Sequence, residues 1–124
     1  MNSNTDKMEK KLARDLKLGD NMYYVDTASN ELAVYVIRSL ELVEATVDTP
    51  LIIRIGLFNW EKTPTVLADS TGGSNKYAGF PIYTNIADAE DYLHDDLSFK
   101  ITHAENQLRN LKEKQAATLK EESL

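Results

Sequence analysis

The chain contains no cysteine, which excludes disulfide staples, zinc–thiolate centres and thiol nucleophiles together. It has no apolar run of about 18 residues, so no segment reads as a membrane-spanning helix. The first residues, "MNSNTDKMEKKLARDLK", are too polar to hold the apolar stretch of a secretory signal. A cytoplasmic protein is expected, in the host cytoplasm if the chain is viral. Positive charge is also scarce. Between residues 18 and 99 there are four basic residues (Arg38, Arg54, Lys62, Lys76) against thirteen acidic ones. Proteins that follow a nucleic-acid backbone neutralise phosphates with Lys and Arg, so DNA and RNA are excluded as partners. A small phosphate ligand held by one or two arginines stays compatible.

What is present describes one domain. A chain of 124 residues with 42% hydrophobic and 27% charged residues is globular in composition, and a domain of that size buries a core without metal or disulfide support. Thr5 or Asp6 can cap a short N-terminal helix carrying Met8, Leu12 and Leu16 at four-residue spacing, ended by Gly19 in "LGD". Strand formers follow in "NMYYVD", with "TASN" as a hairpin turn before "ELAVYVIRSLELVE". In that long strand Leu32, Val34, Val36, Leu40 and Leu42 share one face, and Ala33, Tyr35, Ile37 and Val43 the other, so cover on both sides is expected near its start. "LIIRIGLF" alternates with Leu51, Ile53, Ile55 and Leu57 inward and Arg54 outward; "TVLAD" and "FPIYT" supply two more short strands, the last an edge strand because of Pro81. The fold class is α+β: a small antiparallel sheet or open barrel of about five strands, a short N-terminal helix and a long C-terminal helix.

No glycine or proline interrupts residues 85–122. Thr84 or Asn85 caps that helix, and Asp88, Glu90 and Asp91 crowd its first turns, where the helix dipole favours negative charge. From Leu97 the apolar positions step by 4, 3, 4 and 3 through Ile101, Ala104 and Leu108 to Leu111, and Gln115 and Thr118 continue the phase. That spacing is a heptad seam. Residues 1–84 therefore read as the helix-plus-sheet part and 85–124 as a helical arm, and the seam predicts a homo-oligomer.

Catalysis finds little support. His94 and His103 are nine residues apart, which does not place them on adjacent turns of one helix face, and Glu90 with His94 supplies only two ligands. No Gly-x-Ser-x-Gly elbow occurs. "STGGSN" lacks the spacing of a phosphate-binding fingerprint and reads as a flexible turn between strands. The protein is expected to be no enzyme and to need no cofactor or metal.

One stretch suggests binding. "DSTGGSNKYAGFPIYTN", residues 69–85, holds three of the five glycines and interleaves Tyr77, Phe80 and Tyr83 among them. Aromatic faces stack on bases, and a helix N-terminus with an arginine fork holds phosphate. The candidate ligand-binding residues are Arg54, Tyr77, Phe80, Tyr83, Thr84, Asn85 and Arg109. The plainer assignment makes Phe80 and Tyr83 core residues, pairs Arg54 with Asp69 or Glu41, and pairs Arg109 with Glu105 or Glu113.

Through "LIIRIGLF", "KYAGFPIYTN" and the helix through "AENQLRNLKEK", the layout resembles the anti-Thoeris signal sponges of bacteriophages. The resemblance implies a non-enzymatic oligomer that sequesters cyclic ADP-ribose-type signals, or cyclic oligonucleotides, and so blocks an anti-phage defence. The other function the residues allow is an acidic protein–protein adaptor or inhibitor that meets a host protein through its helical arm.

Overall fold

The computed structural model describes residues 10–74 and 79–122. A single 3-10 turn, Ala13–Asp15, precedes five strands: β1 (Asn21–Asp26), β2 (Glu31–Glu44), β3 (Ile52–Leu57), β4 (Thr65–Leu67) and β5 (Ile82–Tyr83). The helix α1 (Ile86–Glu122) follows. The strands form one antiparallel half-barrel in the order β4-β3-β2-β1-β5, the α+β arrangement the pattern predicts. Contacts divide the chain into two units, Met1–Leu93 and His94–Leu124. The first two turns of α1 thus belong with the sheet.

The hairpin between β1 and β2 follows from its residues. Asp26 accepts the backbone N–H groups of Ala28 and Ser29 at 3.1 and 3.3 Å, an Asx turn, and Asn30 closes the turn with φ 63°. Of the N-terminal helix, residues 1–9 lie outside the described part. Leu12 and Leu16 are both extended, so their four-residue spacing is not on a helix. The segment instead runs beside the chain after β4, where Ala13 and Arg14 donate to the carbonyls of Ser70 and Ala68 at 2.8 and 2.9 Å. Burial of Ala13 and Leu16 anchors it there.

β2 serves two pairings. Its first half pairs β1, from Glu31 with Asp26 to Val36 with Asn21; its second half pairs β3, from Ile37 with Leu57 to Glu44 with Ile52. At the junction Ile37 faces Leu57 and Ser39 faces Gly56, so Arg38 is one residue too many and the strand bulges. Gly56 admits the bulge: a Cβ there would lie 2.1 Å from Ser39 Oγ. Arg38 donates from Nε to the Leu57 carbonyl at 3.2 Å. The bulge shifts the side-chain period by one. Leu40 therefore joins the face of Tyr35 and Ile37 rather than that of Val34 and Val36, as strict alternation would have it.

The core lies on that face, where Met22, Ile37, Ile53, Ile55, Leu57, Val66 and Ile82 pack together with Ala13 and Leu16. The expected double cover of β2 is confined to its first residues, where Leu32, opposite the buried Val25, and Ala33 are half-buried. Val34 is 55% exposed, and Val36 is also open to solvent, because the other face is covered only toward the β1–β5 edge. There Val25 and Ala89 are fully buried, and Tyr83 meets Tyr92 of α1 with ring centroids 6.1 Å apart.

The two faces predict different responses to substitution. Ile55→Ala, which empties a site with no solvent exposure, should cost about 2–5 kcal/mol in urea unfolding. Val34→Thr on the open face should change the unfolding free energy by less than about 0.5 kcal/mol.

Candidate functional site

β5 separates residues that lie close together in the glycine-rich stretch. Ile82 pairs with Tyr24 and Tyr83 with Tyr23, and neighbouring residues of a strand point to opposite faces. Tyr83 lies on the face shared with Tyr92, whereas Phe80 reaches the opposite side and meets Tyr24 at 6.4 Å. Tyr77 lies outside the described residues. Nor is the whole of "STGGSN" a loose turn. Gly73 donates to the Ile82 carbonyl at 2.7 Å, Thr84 donates to the Thr71 carbonyl at 2.9 Å, and Gly72 bridges Tyr83. Gly72 has φ 106°, and a Cβ on it would sit 2.2 Å from the Ile82 carbonyl oxygen. The glycines are there for close backbone approach, and the ring of Tyr83 lies over Gly73.

The start of α1 is already occupied by the chain's own groups. Asn85 is the cap: its Oδ1 accepts the Asp88 N–H at 3.1 Å, and its Nδ2 donates to Asp88 Oδ2 at 3.0 Å. Thr84, the other candidate cap, is buried and donates from Oγ1 to the Lys11 carbonyl at 2.5 Å. Asp88 places its carboxylate in the first turn, where an anion is favoured, and Lys10 meets it at 2.7 Å. Burial pushes the Asp88 carboxyl up, but hydrogen bonds from Lys10, Asn85 and Thr71 outweigh burial and hold it below the ordinary carboxylate value. A phosphate would have to displace this ion pair.

The arginines are also engaged. Arg54 faces Glu41 across β3 and β2 and donates to it at 2.7 Å on the outer side of the sheet. It stands on β3, two strands away from β1, which pairs the β5 edge. Arg109 belongs to the second unit and holds Asn106 at 3.0 Å, a partner one turn back rather than Glu105 or Glu113. Of the six sequence candidates among the described residues, Phe80 alone is found in an aromatic group on the core side of the sheet.

That group was missed from sequence. Asn59, with φ 66°, turns the chain after β3 and brings Trp60 over Tyr35, stacked at 5.1 Å and 10°. Trp60 also meets Tyr24 at 4.8 Å and Phe80 edge-on at 5.5 Å, and Lys62 Nζ stands 5.7 Å from the centre of the Phe80 ring. All four rings are half-buried and pack on the margin of the core. Burial pushes the Tyr24 hydroxyl up from its ordinary value, as expected for a phenol held among apolar rings. The signal available beforehand was the chain's single tryptophan, set in the turn "NWEKTP".

The chemistry open to this cluster is stacking and cation attraction. Among the described residues no group of three His, Asp or Glu side chains is placed to hold a metal, and no helix is long and apolar enough to cross a membrane. A groove of about 160 Å³ between Leu16, Leu40, Leu42 and Ile53 is smaller than the roughly 300–1,000 Å³ usual for a ligand site. No protein-family model matches the chain, and no curated protein or solved structure is similar enough to count as a relative.

Two measurements check the helix start. Asn85→Ala should lower unfolding stability by about 1 kcal/mol. The low carboxyl value of Asp88 contributes stability above the unfolded-chain value, about 3.9, and loses it as pH falls through the lower folded value. The urea midpoint should therefore drop below about pH 4, and Asp88→Asn should make that acid decline shallower. It should not abolish the decline, since Asp20 is held low in the same way by Lys11 and Lys17.

Proposed function

We propose that this protein is a non-enzymatic binding protein that traps a small nucleotide-type signal and works in the cytoplasm as a homo-oligomer. The observation that carries the reading is the half-buried cluster of Trp60, Tyr35, Tyr24 and Phe80 with Lys62 at its margin. Flat rings beside a cation suit a flat base and a phosphate, and such stacking tolerates many bases. The binding residues move accordingly from Arg54, Tyr83, Thr84 and Asn85, whose side chains are committed within the fold, to the cluster around Trp60. The layout's resemblance to the anti-Thoeris sponges makes cyclic ADP-ribose isomers the first ligands to try and cyclic oligonucleotides the second, with release from an anti-phage defence as the biological result.

The single tryptophan makes the test direct. Cyclic ADP-ribose isomers and cyclic dinucleotides should quench the emission of Trp60 and raise the melting temperature. Trp60→Ala should remove the thermal response, while Arg54→Ala and Arg109→Ala should leave it nearly intact. No quenching and no shift with any of these ligands would reject nucleotide trapping.

A second reading, an acidic adaptor or inhibitor of a host protein, is favoured by the exposed apolar residues of the second unit, Phe99 at 72% and Leu111 at 64% among them. It expects a specific protein to be retained in pull-downs and the retention to be lost in Leu111→Glu.

A further inference from the structure

In the second unit every side chain described from Ile101 to Leu119 is exposed, including Leu108 and Leu111. A helix this long with an apolar stripe open to water gains little from its own chain. We propose that this segment pairs with the same segment of a second copy as a parallel, in-register, two-stranded coiled coil from Leu97 to Thr118. The proposal rests on the homo-oligomer part of the reading above and is independent of its ligand part.

The spacing assigns the heptad. Ile101, Leu108 and Gln115 take the a positions, and Leu97, Ala104, Leu111 and Thr118 the d positions. The stripe thus repeats every 3.5 residues, the period that keeps one seam facing a partner helix over several turns. A second copy is the occupant because the stripe matches itself and its surroundings do not oppose self-pairing. Residues 94–124 hold five basic side chains (Lys100, Arg109, Lys112, Lys114, Lys120) and six acidic ones (Asp95, Asp96, Glu105, Glu113, Glu121, Glu122). That near-balance neither repels a copy nor selects a partner of opposite charge.

Direction follows from Gln115. In a parallel pair, a faces a, so Gln115 meets Gln115 of the partner subunit and each amide supplies both a donor and an acceptor. An antiparallel pair that keeps Leu108 against a leucine sets Gln115 against Ala104, which leaves the amide unmatched across the seam. A polar residue at a single a position specifies register in this way. The flanks agree. Lys100, at a g position, faces Glu105 of the partner subunit at e, and remains close to Asp96 of its own helix, 2.8 Å away. The next two g-to-e pairs, Gln107 with Lys112 and Lys114 with Leu119, contain no like charges.

The absence of native cysteine allows a clean test on the full chain without ligand. Sedimentation over a dilution series should give a dimer that dissociates on dilution. Thr118→Cys, at a d position, should oxidise to a covalent dimer, and Glu113→Cys, at an outward f position, should not. Leu108→Glu should give a monomer with unchanged Trp60 emission, which separates loss of pairing from loss of folding. Ala104→Leu should tighten the dimer by filling its smallest layer. A monomer at every concentration, the result expected if the seam serves a foreign protein, overturns the proposal. A dimer in which Thr118→Cys crosslinks no better than Glu113→Cys overturns the parallel register. Trp60→Ala should leave the dimer intact, so a dimer that responds to no nucleotide upholds this pairing while rejecting the ligand reading.

Discussion

The extra residue at Arg38 is the constraint on which the sheet depends. A straight strand as long as β2 would put Leu40 on the outer face and leave β3 with no matching apolar surface. The bulge opposite Gly56 moves Leu40 to the inner face and bends the strand as its partner changes from β1 to β3. The same bend lets one core serve both halves of the sheet. Met22 and Ile82 come from the β1–β5 side, and Ile53, Ile55 and Val66 from the β3–β4 side.

Two consequences reach the candidate site. At one end, the turn after β3 carries Trp60 back over Tyr35 on the inner face, so the rings collect where β1, β2 and the approach to β5 meet. At the other edge, the short pairing of β5 with β1 is reinforced by the Thr71–Gly73 backbone and by the side chain of Thr84. The helix start is consequently tied down by internal hydrogen bonds and by the Asp88–Lys10 pair. A site that spends its anion-holding capacity on its own aspartate is a structural joint. The exposed ring edges available to a ligand lie instead on the side of the sheet where Trp60, Tyr35, Tyr24 and Phe80 gather.

The second unit obeys different physics. Within the sheet unit, burial decides which residues matter. From Ile101 onward no described side chain is buried, so the pattern along the sequence is the guide to the proposed pairing. The heptad spacing, the balanced charges and Gln115 can be read without tertiary contacts, because a coiled coil is governed by periodicity along a single helix.

Sequence alone determined the order of the elements, since each depends on local chemistry. Strand formers marked β1, alternation marked β3, "TASN" marked the hairpin, and a run without glycine or proline marked α1. It also placed Arg54 on the outer face beside Glu41 as one of two possible pairings. Tertiary structure decided the rest. The bulge at Arg38, the failure of Leu12 and Leu16 to lie on a helix, the separation of Phe80 from Tyr83, and the gathering of Trp60 with Tyr24 and Tyr35 all depend on contacts between residues far apart in the chain. A period-two pattern tells which residues share a face only while the strand stays regular. One inserted residue reverses the faces beyond it, and no local signal in "YVIRSLEL" announces where the partner strand will require it.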